Sequence, residues 1–433
     1  MVFSDVHVSE DILHFIWRFR LFRQLLLLTS KGQSLRILQP GILNEDAGPD
    51  FHQALILLDG VYLYGHIEIH VAAKDWRLHG HSKNPVYNTV MLHVVWNGDE
   101  PYCLEDGSEI PTLRLCELIE EKVLLNANRL LQNINSIPCA YDFDNVPAHI
   151  QYQVLQRTLV ERFESRYMQV LEHLKETNGD WERVSMVLIA AAFGMKVNKM
   201  AFIELGMLLN INLLKKFANK PTIIHALFFG QAGFLACGFE RDPYVQCLKK
   251  EYQYFAKLYQ LPQMSIYQWK FMRMRPANFP TFKLGQLAAL FAYNRSWFAW
   301  LTTTESLAEI RNVIALVEVP EFWINHYHFK KETVVHSTAI SDDFFNLLVI
   351  NSFSLILFAY GKYVGDSNLI QRALDWLEQV PVESNRIVAI YRKLGFSMQS
   401  AMDSQAVLQL QKEYCEKKRC LHCGIGASIV KGI

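Results

Sequence analysis

The segment "GPDFHQALILLDGVYLYGHIEIH", residues 48–70, decides how the chain begins to fold. Two runs rich in Leu, Ile, Val and Tyr flank Asp59 and Gly60, and a residue pair that tolerates positive φ between apolar runs closes a tight hairpin. The two runs are therefore expected to be adjacent, antiparallel strands. Along the second, a period of two places His66, Glu68 and His70 on one face and Ile67, Ile69 and Val71 on the other. Three ionisable groups on one strand face imply either a wet surface or a site.

Outward from the hairpin, "LRILQPGILN" and "NTVMLHVVW" are also short, rich in Val, Ile and Leu, and bounded by Gly, Asn and Pro. Together these segments predict a mixed sheet of about four strands between Leu35 and Trp96. Upstream, Ser9 is placed to cap a helix whose apolar spacing continues through Phe22. Past about residue 147, segments such as "HIQYQVLQRTLVERFESRYMQVLEHLKET" put apolar residues three and four apart, the spacing of amphipathic helices. No repeat of fixed period recurs, which argues against a helical solenoid. The expected organisation is an α+β N-terminal domain over 1–145, a larger all-α domain over 146–410, and a cysteine-containing tail over 411–433.

The 433 residues carry 43 basic and 43 acidic side chains, so no global field draws the protein to nucleic acid or anionic membrane, and any polyanion site must be local. The N-terminal run "MVFSDVHVSEDILHFIWRFRLFRQLLLL" mixes charges into its apolar residues and offers no small-residue cleavage site, so it does not read as a signal peptide. A cytoplasmic protein with no membrane span is expected. The apolar stretches at 344–360 and 223–239 are broken by Asn, Ser, His and Gln and read as buried helices.

Histidines crowd the predicted sheet: His52, His66, His70, His79, His81 and His93 fall within 42 of the chain's residues, out of fifteen histidines in all. A Pro-Asp opening one strand (Asp50), followed across a hairpin by Glu-x-basic (Glu68, His70), resembles the PD-(D/E)xK phosphodiesterase superfamily. The resemblance implies that Asp50 and Glu68 bind Mg²⁺ or Mn²⁺, which generates a nucleophile from water and neutralises phosphoryl charge. His70 would stand where that family has lysine, and Lys74, on the same face if the strand continues, would supply the positive charge. Alternatively, His66, Glu68 and His70 together with His79, His81 or His93 could form an imidazole-carboxylate set suited to Zn²⁺ or Fe²⁺. Each histidine could also simply be satisfied by backbone carbonyls at a domain interface.

The tail "CEKKRCLHCGIG" spaces Cys415, Cys420 and Cys423 as C-x4-C-x2-C. Structural zinc and iron-sulfur clusters want four ligands, and Cys139, fixed beside Pro138, is the expected fourth, with His422 as the other option. Cys103, Cys116, Cys237 and Cys247 lack metal spacing and read as small hydrophobes. In "WKFMRMRPANFPTFKL", Lys270, Arg273, Arg275, Asn278 and Lys283 lie among aromatic residues, a combination that suits a DNA or RNA backbone and its bases or, equally, a buried junction. Gly230 and Gly233 read as close helix packing, since no phosphate-loop spacing accompanies them.

Taken together, "NEDAGPDF", "GHIEIHVAAKDWRLHGH", "LHVVW", "FGQAGFL", "RMRPANFP" and "KRCLHCGIG" resemble an uncharacterised bacterial family, domain of unknown function 2851, over nearly the whole chain. That resemblance implies a cytoplasmic bacterial protein and brings no activity with it. Two functions are therefore expected in competition: a divalent-metal-dependent nuclease or phosphodiesterase, and a noncatalytic binding or scaffold protein with a histidine-rich structural metal site.

Overall fold

The computed structural model describes residues 7–236, 242–293 and 296–433. The chain divides into two compact units: residues 1–158, 389–396 and 407–433 form one, and residues 159–388 and 397–406 the other. The last stretch of chain therefore belongs with the N-terminal sheet.

In the first unit, α1 (Glu10–Arg18) starts where Ser9 accepts a hydrogen bond from the Ile12 amide. It stops before Phe22, because Arg20 takes a left-handed φ of 52° that no helix continues through. Its buried face, Ile12, Leu13, Phe15, Ile16 and Trp17, packs on the sheet, and the Trp17 indole donates to the Pro40 carbonyl at 2.9 Å.

The sheet contains β1 (Leu27–Leu28), β2 (Ser34–Gln39), β3 (Ile42–Leu43), β4 (Phe51–Leu58), β5 (Val61–Ala72), β6 (Val90–Asn97) and β7 (Thr112–Arg114). It is mixed, in the order β1-β2-β4-β5-β6-β7 with β3 also on β4. Seven strands replace the expected four or so, because β1, β3 and β7 span only two or three residues and are too short to show alternation. A hydrogen bond from the Ser30 amide to the Thr112 carbonyl (2.8 Å) joins the turn after β1 to β7, so the two edges meet and the sheet is nearly a barrel.

The β4–β5 hairpin forms as read, with Asp59 (φ 46°) and Gly60 (φ 83°) both left-handed, as a two-residue turn of type I′ requires. From β5 the chain crosses to β6, which pairs with it in parallel, through α2 (Asp75–Leu78) and two short 3₁₀ turns at His81–Lys83 and Pro85–Tyr87. Trp76 anchors this crossover. It is fully buried against Tyr87, Val90 and Ile110, and its indole donates to Ser82 Oγ at 2.9 Å.

After α3 (Glu121–Leu131), α4 (Ala148–Glu176) opens the helical region. The second unit is helical throughout its core, with Trp181–Gly194, Pro221–Gln231 and Pro280–Tyr293 almost wholly buried. A Cβ on Gly230 would fall 2.1 Å from the Tyr252 ring, so this glycine sets how closely Pro221–Gln231 meets Pro243–Tyr259. The apolar run Asp342–Val364 is long and apolar enough to cross a membrane, but 78% of its most apolar window is buried inside the protein, as a core helix would be. Cys237 lies outside the described residues.

Trp76→Ala is expected to lower the unfolding free energy by about 3–5 kcal/mol, as removal of a fully buried indole does. Chemical denaturation checks this, with Trp76→Phe retaining most of the stability.

Candidate metal centre

The β4–β5 ladder reaches its last pair at Phe51 and Ile67. Just beyond it, the Asp50 amide donates to Glu68 Oε2 at 3.1 Å and the Ile69 amide donates to Asp50 Oδ2 at 2.8 Å. Two carboxylates thus take the place of ladder carbonyls, and each is held by the other strand's backbone. The buried Glu68 turns its remaining oxygen toward a group of imidazoles.

His70 comes from the same face of β5, while the crossover that Trp76 anchors returns His79 and His81 over it. His70 Nε2 lies 3.2 Å from His79 Nδ1 and 3.6 Å from Glu68 Oε1, and His81 Nε2 lies 3.2 Å from the same oxygen. The ligand nitrogens of His70, His79 and His81 all fall within 4.8 Å of one another. Ligands sharing one cation at about 2.1 Å stand about 3.0–3.4 Å apart in octahedral or tetrahedral spheres, and the His70–His79 and His81–Glu68 spacings of 3.2 Å are of that size. On the far side, His70 Nδ1 is 2.9 Å from the buried His93 Nε2, a contact able to fix the tautomer that leaves Nε2 free to ligate. The His81 ring stacks on Tyr87 with centroids 3.9 Å apart.

Burial controls the charges. It pushes Glu68 up to about 9, assisted by the nearby Asp50 charge, and pushes His70 down to about 2 and His93 down to about 3, with neighbouring imidazoles adding to the effect. His81 is lowered by burial and by His79. Without a cation, Glu68, His70, His81 and His93 are each driven toward their neutral forms. His81 Nε2 is buried and, despite its distance from Glu68, makes no well-directed hydrogen bond. A buried polar atom without a partner is costly, and a divalent cation would satisfy it together with the other converging lone pairs.

Beside this set, α1 contributes His14, whose Nε2 lies 3.2 Å from Asp50 Oδ2. Burial lowers the His14 pKa, but the adjacent Asp50 carboxylate outweighs it and leaves the imidazole raised above its ordinary value. Glu10, one turn earlier, is raised by burial and then by Asp50. His14 also lines a cavity of about 200 Å³, whose walls include Arg18, Asn44 and His422.

A family model described as "Protein of unknown function (DUF2851)" matches residues 10–386. The chain belongs to the DUF2851 family. No curated protein and no solved structure matches it. In this DUF2851 chain the matched span takes in every residue of the centre from Glu10 to His93, together with Cys139, and ends before Cys415.

The DUF2851 fold departs from the expected site in three places. His66 packs against His52 with ring centroids 4.6 Å apart, where an extra residue in β4, Gln53 at φ 58°, bulges the hairpin. Lys74 is exposed at the start of α2, since β5 ends at Ala72 and no longer sets its direction. Asp50 is brought to Glu68 as expected, but its Oδ2 serves the Ile69 amide and His14. The PD-(D/E)xK resemblance finds no support in the family assignment, and the third position of that motif belongs to an imidazole cluster. Sequence reading missed His14, whose signal is a polar Glu10/His14 pair, four apart, on an otherwise apolar helix face. Lys270, Arg273 and Arg275 are exposed, Asn278 is half-buried, and Lys283 is buried over the Phe344 ring at 3.5 Å. Cys103 and Cys247 are exposed and Cys116 is half-buried, so none of the three is the buried small hydrophobe expected.

Metal binding at pH 7 is expected to release about one proton, because Glu68 must ionise to ligate. Calorimetric titration of Zn²⁺ or Mn²⁺ in buffers of different ionisation enthalpy measures it, and His81→Ala should abolish the binding. In metal-stripped protein, Glu68 binds a proton when folded and not when unfolded between pH 4.5 and about 9, so its contribution to stability is lost as pH rises through that window. Glu68→Gln should flatten the resulting fall in Tm between pH 6.5 and 9, above the range where His70 opposes it.

Proposed function

We propose that the protein is a divalent-metal-dependent hydrolase of phosphodiesters, acting on a nucleic-acid strand, with Glu68, His70, His79 and His81 as the metal ligands. The observation that carries this reading is the convergence of three imidazole nitrogens and one carboxylate oxygen, next to an Asp50–His14 pair whose imidazole lines a cavity. A ligand set rich in imidazole suits Zn²⁺, Mn²⁺ or Fe²⁺ better than Mg²⁺. Bound there, the cation would polarise a phosphoryl oxygen and lower the pKa of water.

The protein groups divide the remaining work. His79 is the exposed ligand, so the sphere is open on its side, while Trp76 and Tyr87 close the opposite side against water. Asp50 holds His14 at Nε2 and favours its protonated form, which suits the imidazole to donate a proton from Nδ1 to the departing oxygen. Arg18, across the cavity, supplies a forked cation for phosphate. In the second unit, the exposed Lys270, Arg273 and Arg275 accompany a cavity of about 320 Å³ lined by Phe234, Phe271 and Phe279, a basic and aromatic surface of the kind that holds single strands. The competing reading, a structural metal site in a noncatalytic scaffold, draws on the burial of Glu68, His70 and His81.

Activity on bis(p-nitrophenyl) phosphate and on single-stranded DNA and RNA, with each metal supplied, separates the two. His14→Ala is expected to lower kcat by about 10²–10⁴ with metal content unchanged. It should also remove the fall in rate at pH above the raised His14 pKa. Full metal loading without hydrolysis of any of these substrates, or an unaffected His14→Ala variant, would favour the scaffold.

A further inference from the structure

We infer that Cys139, Cys415, Cys420 and Cys423 form one tetrathiolate site that holds a metal centre, a zinc ion or an iron-sulfur cluster. The four residues come from two distant stretches of chain that the first unit brings together. Cys415 closes a π-helical turn, Gln411–Cys415, and its Sγ lies 3.2 Å from the Tyr391 hydroxyl. Cys420 and Cys423 bracket a 3₁₀ turn closed by the Cys423 amide on the Cys420 carbonyl at 3.1 Å, and Cys423 then leads into the C-terminal helix Gly424–Lys431. Between these cysteines, Lys418 adopts a left-handed φ of 54° and donates to the carbonyls of Asn133 (2.8 Å) and Asn135 (2.6 Å), just ahead of Cys139. Asn133 in turn donates to the Pro138 carbonyl at 2.9 Å.

Cys415, Cys420 and Cys423 are buried and Cys139 is half-buried. The Gln411 side-chain amide donates to the Ser136 carbonyl at 3.5 Å, so with the Lys418 contacts the loop that leads into Cys139 is held against the turn that carries Cys415. Four cysteines gathered from two stretches of one unit are suited to share a cationic centre. Lys418, two residues before Cys420, supplies positive charge beside a centre that four thiolates would leave anionic. The Tyr391 hydroxyl is positioned to donate to the Cys415 sulfur, the kind of contact that tunes such clusters.

A centre at these four sulfurs would fasten residues 411–433 to the end of the loop that follows α3.

The test uses the full chain, produced with ample iron and zinc, purified without oxygen, and carrying His70→Ala and His81→Ala so that no imidazole-bound metal is counted. About one zinc per chain, or iron with acid-labile sulfide and broad visible absorption, is expected, and the one found names the centre. Cys139→Ser and Cys415→Ser should each lower that content severalfold, and Cys116→Ser should leave it unchanged. A folded chain with no metal, or with metal unaffected by both Cys139→Ser and Cys415→Ser, would overturn the inference. Because the parent chain decides the matter, failure of a cysteine variant to fold leaves the test intact. Failure of the imidazole-centred reading would not alter these contents.

Discussion

A carboxyl group buried beside three imidazoles is the constraint around which the N-terminal unit is arranged. Burial disfavours the charged forms of Glu68, His70 and His81, so the stable ionic state of the cluster depends on what lies at its centre. A cation reverses the problem: it favours the ionised carboxylate and the neutral imidazoles at once. The Asp50 and Ile69 amides, which hold the two carboxylates at the end of the hairpin ladder, keep that arrangement rigid.

Scaffold and centre are coupled through the parallel crossover. Because β5 and β6 run in parallel, the chain must travel back across the end of the sheet between them, and that path carries His79 and His81 to His70. Trp76 and Tyr87 fill the space beneath the path, so the same packing that stabilises the crossover orients the ligands. α1 closes another side with His14, adding a protonatable group that no strand could supply.

The hairpin, the Ser9 cap and the pairing of Asp50 with Glu68 were all legible in the sequence, because turn chemistry and a period of two are local signals. The error at His66 came from a bulge at Gln53: an inserted residue with positive φ is not marked when it is a glutamine. Lys74 was misplaced because the end of β5 is set by tertiary packing of Trp76, not by a Gly or Pro at Ala72. The strands β1, β3 and β7 are too short for any pattern, and they exist because partner strands offer them hydrogen bonds. The cysteine spacing was visible along the chain and Cys139 was expected to join it, while the Lys418 contacts that hold the loop ahead of Cys139 to the tail are long-range and carry no local signal.

The most direct measurement is X-ray absorption at the metal edge, or an anomalous difference map, on the Cys415→Ser chain loaded with one equivalent of Zn²⁺. A centre at Glu68, His70, His79 and His81 should show only nitrogen and oxygen neighbours at about 2.0–2.2 Å, with multiple scattering from about three imidazoles. A zinc surrounded by sulfur at about 2.3 Å, or located away from these four residues, would contradict it.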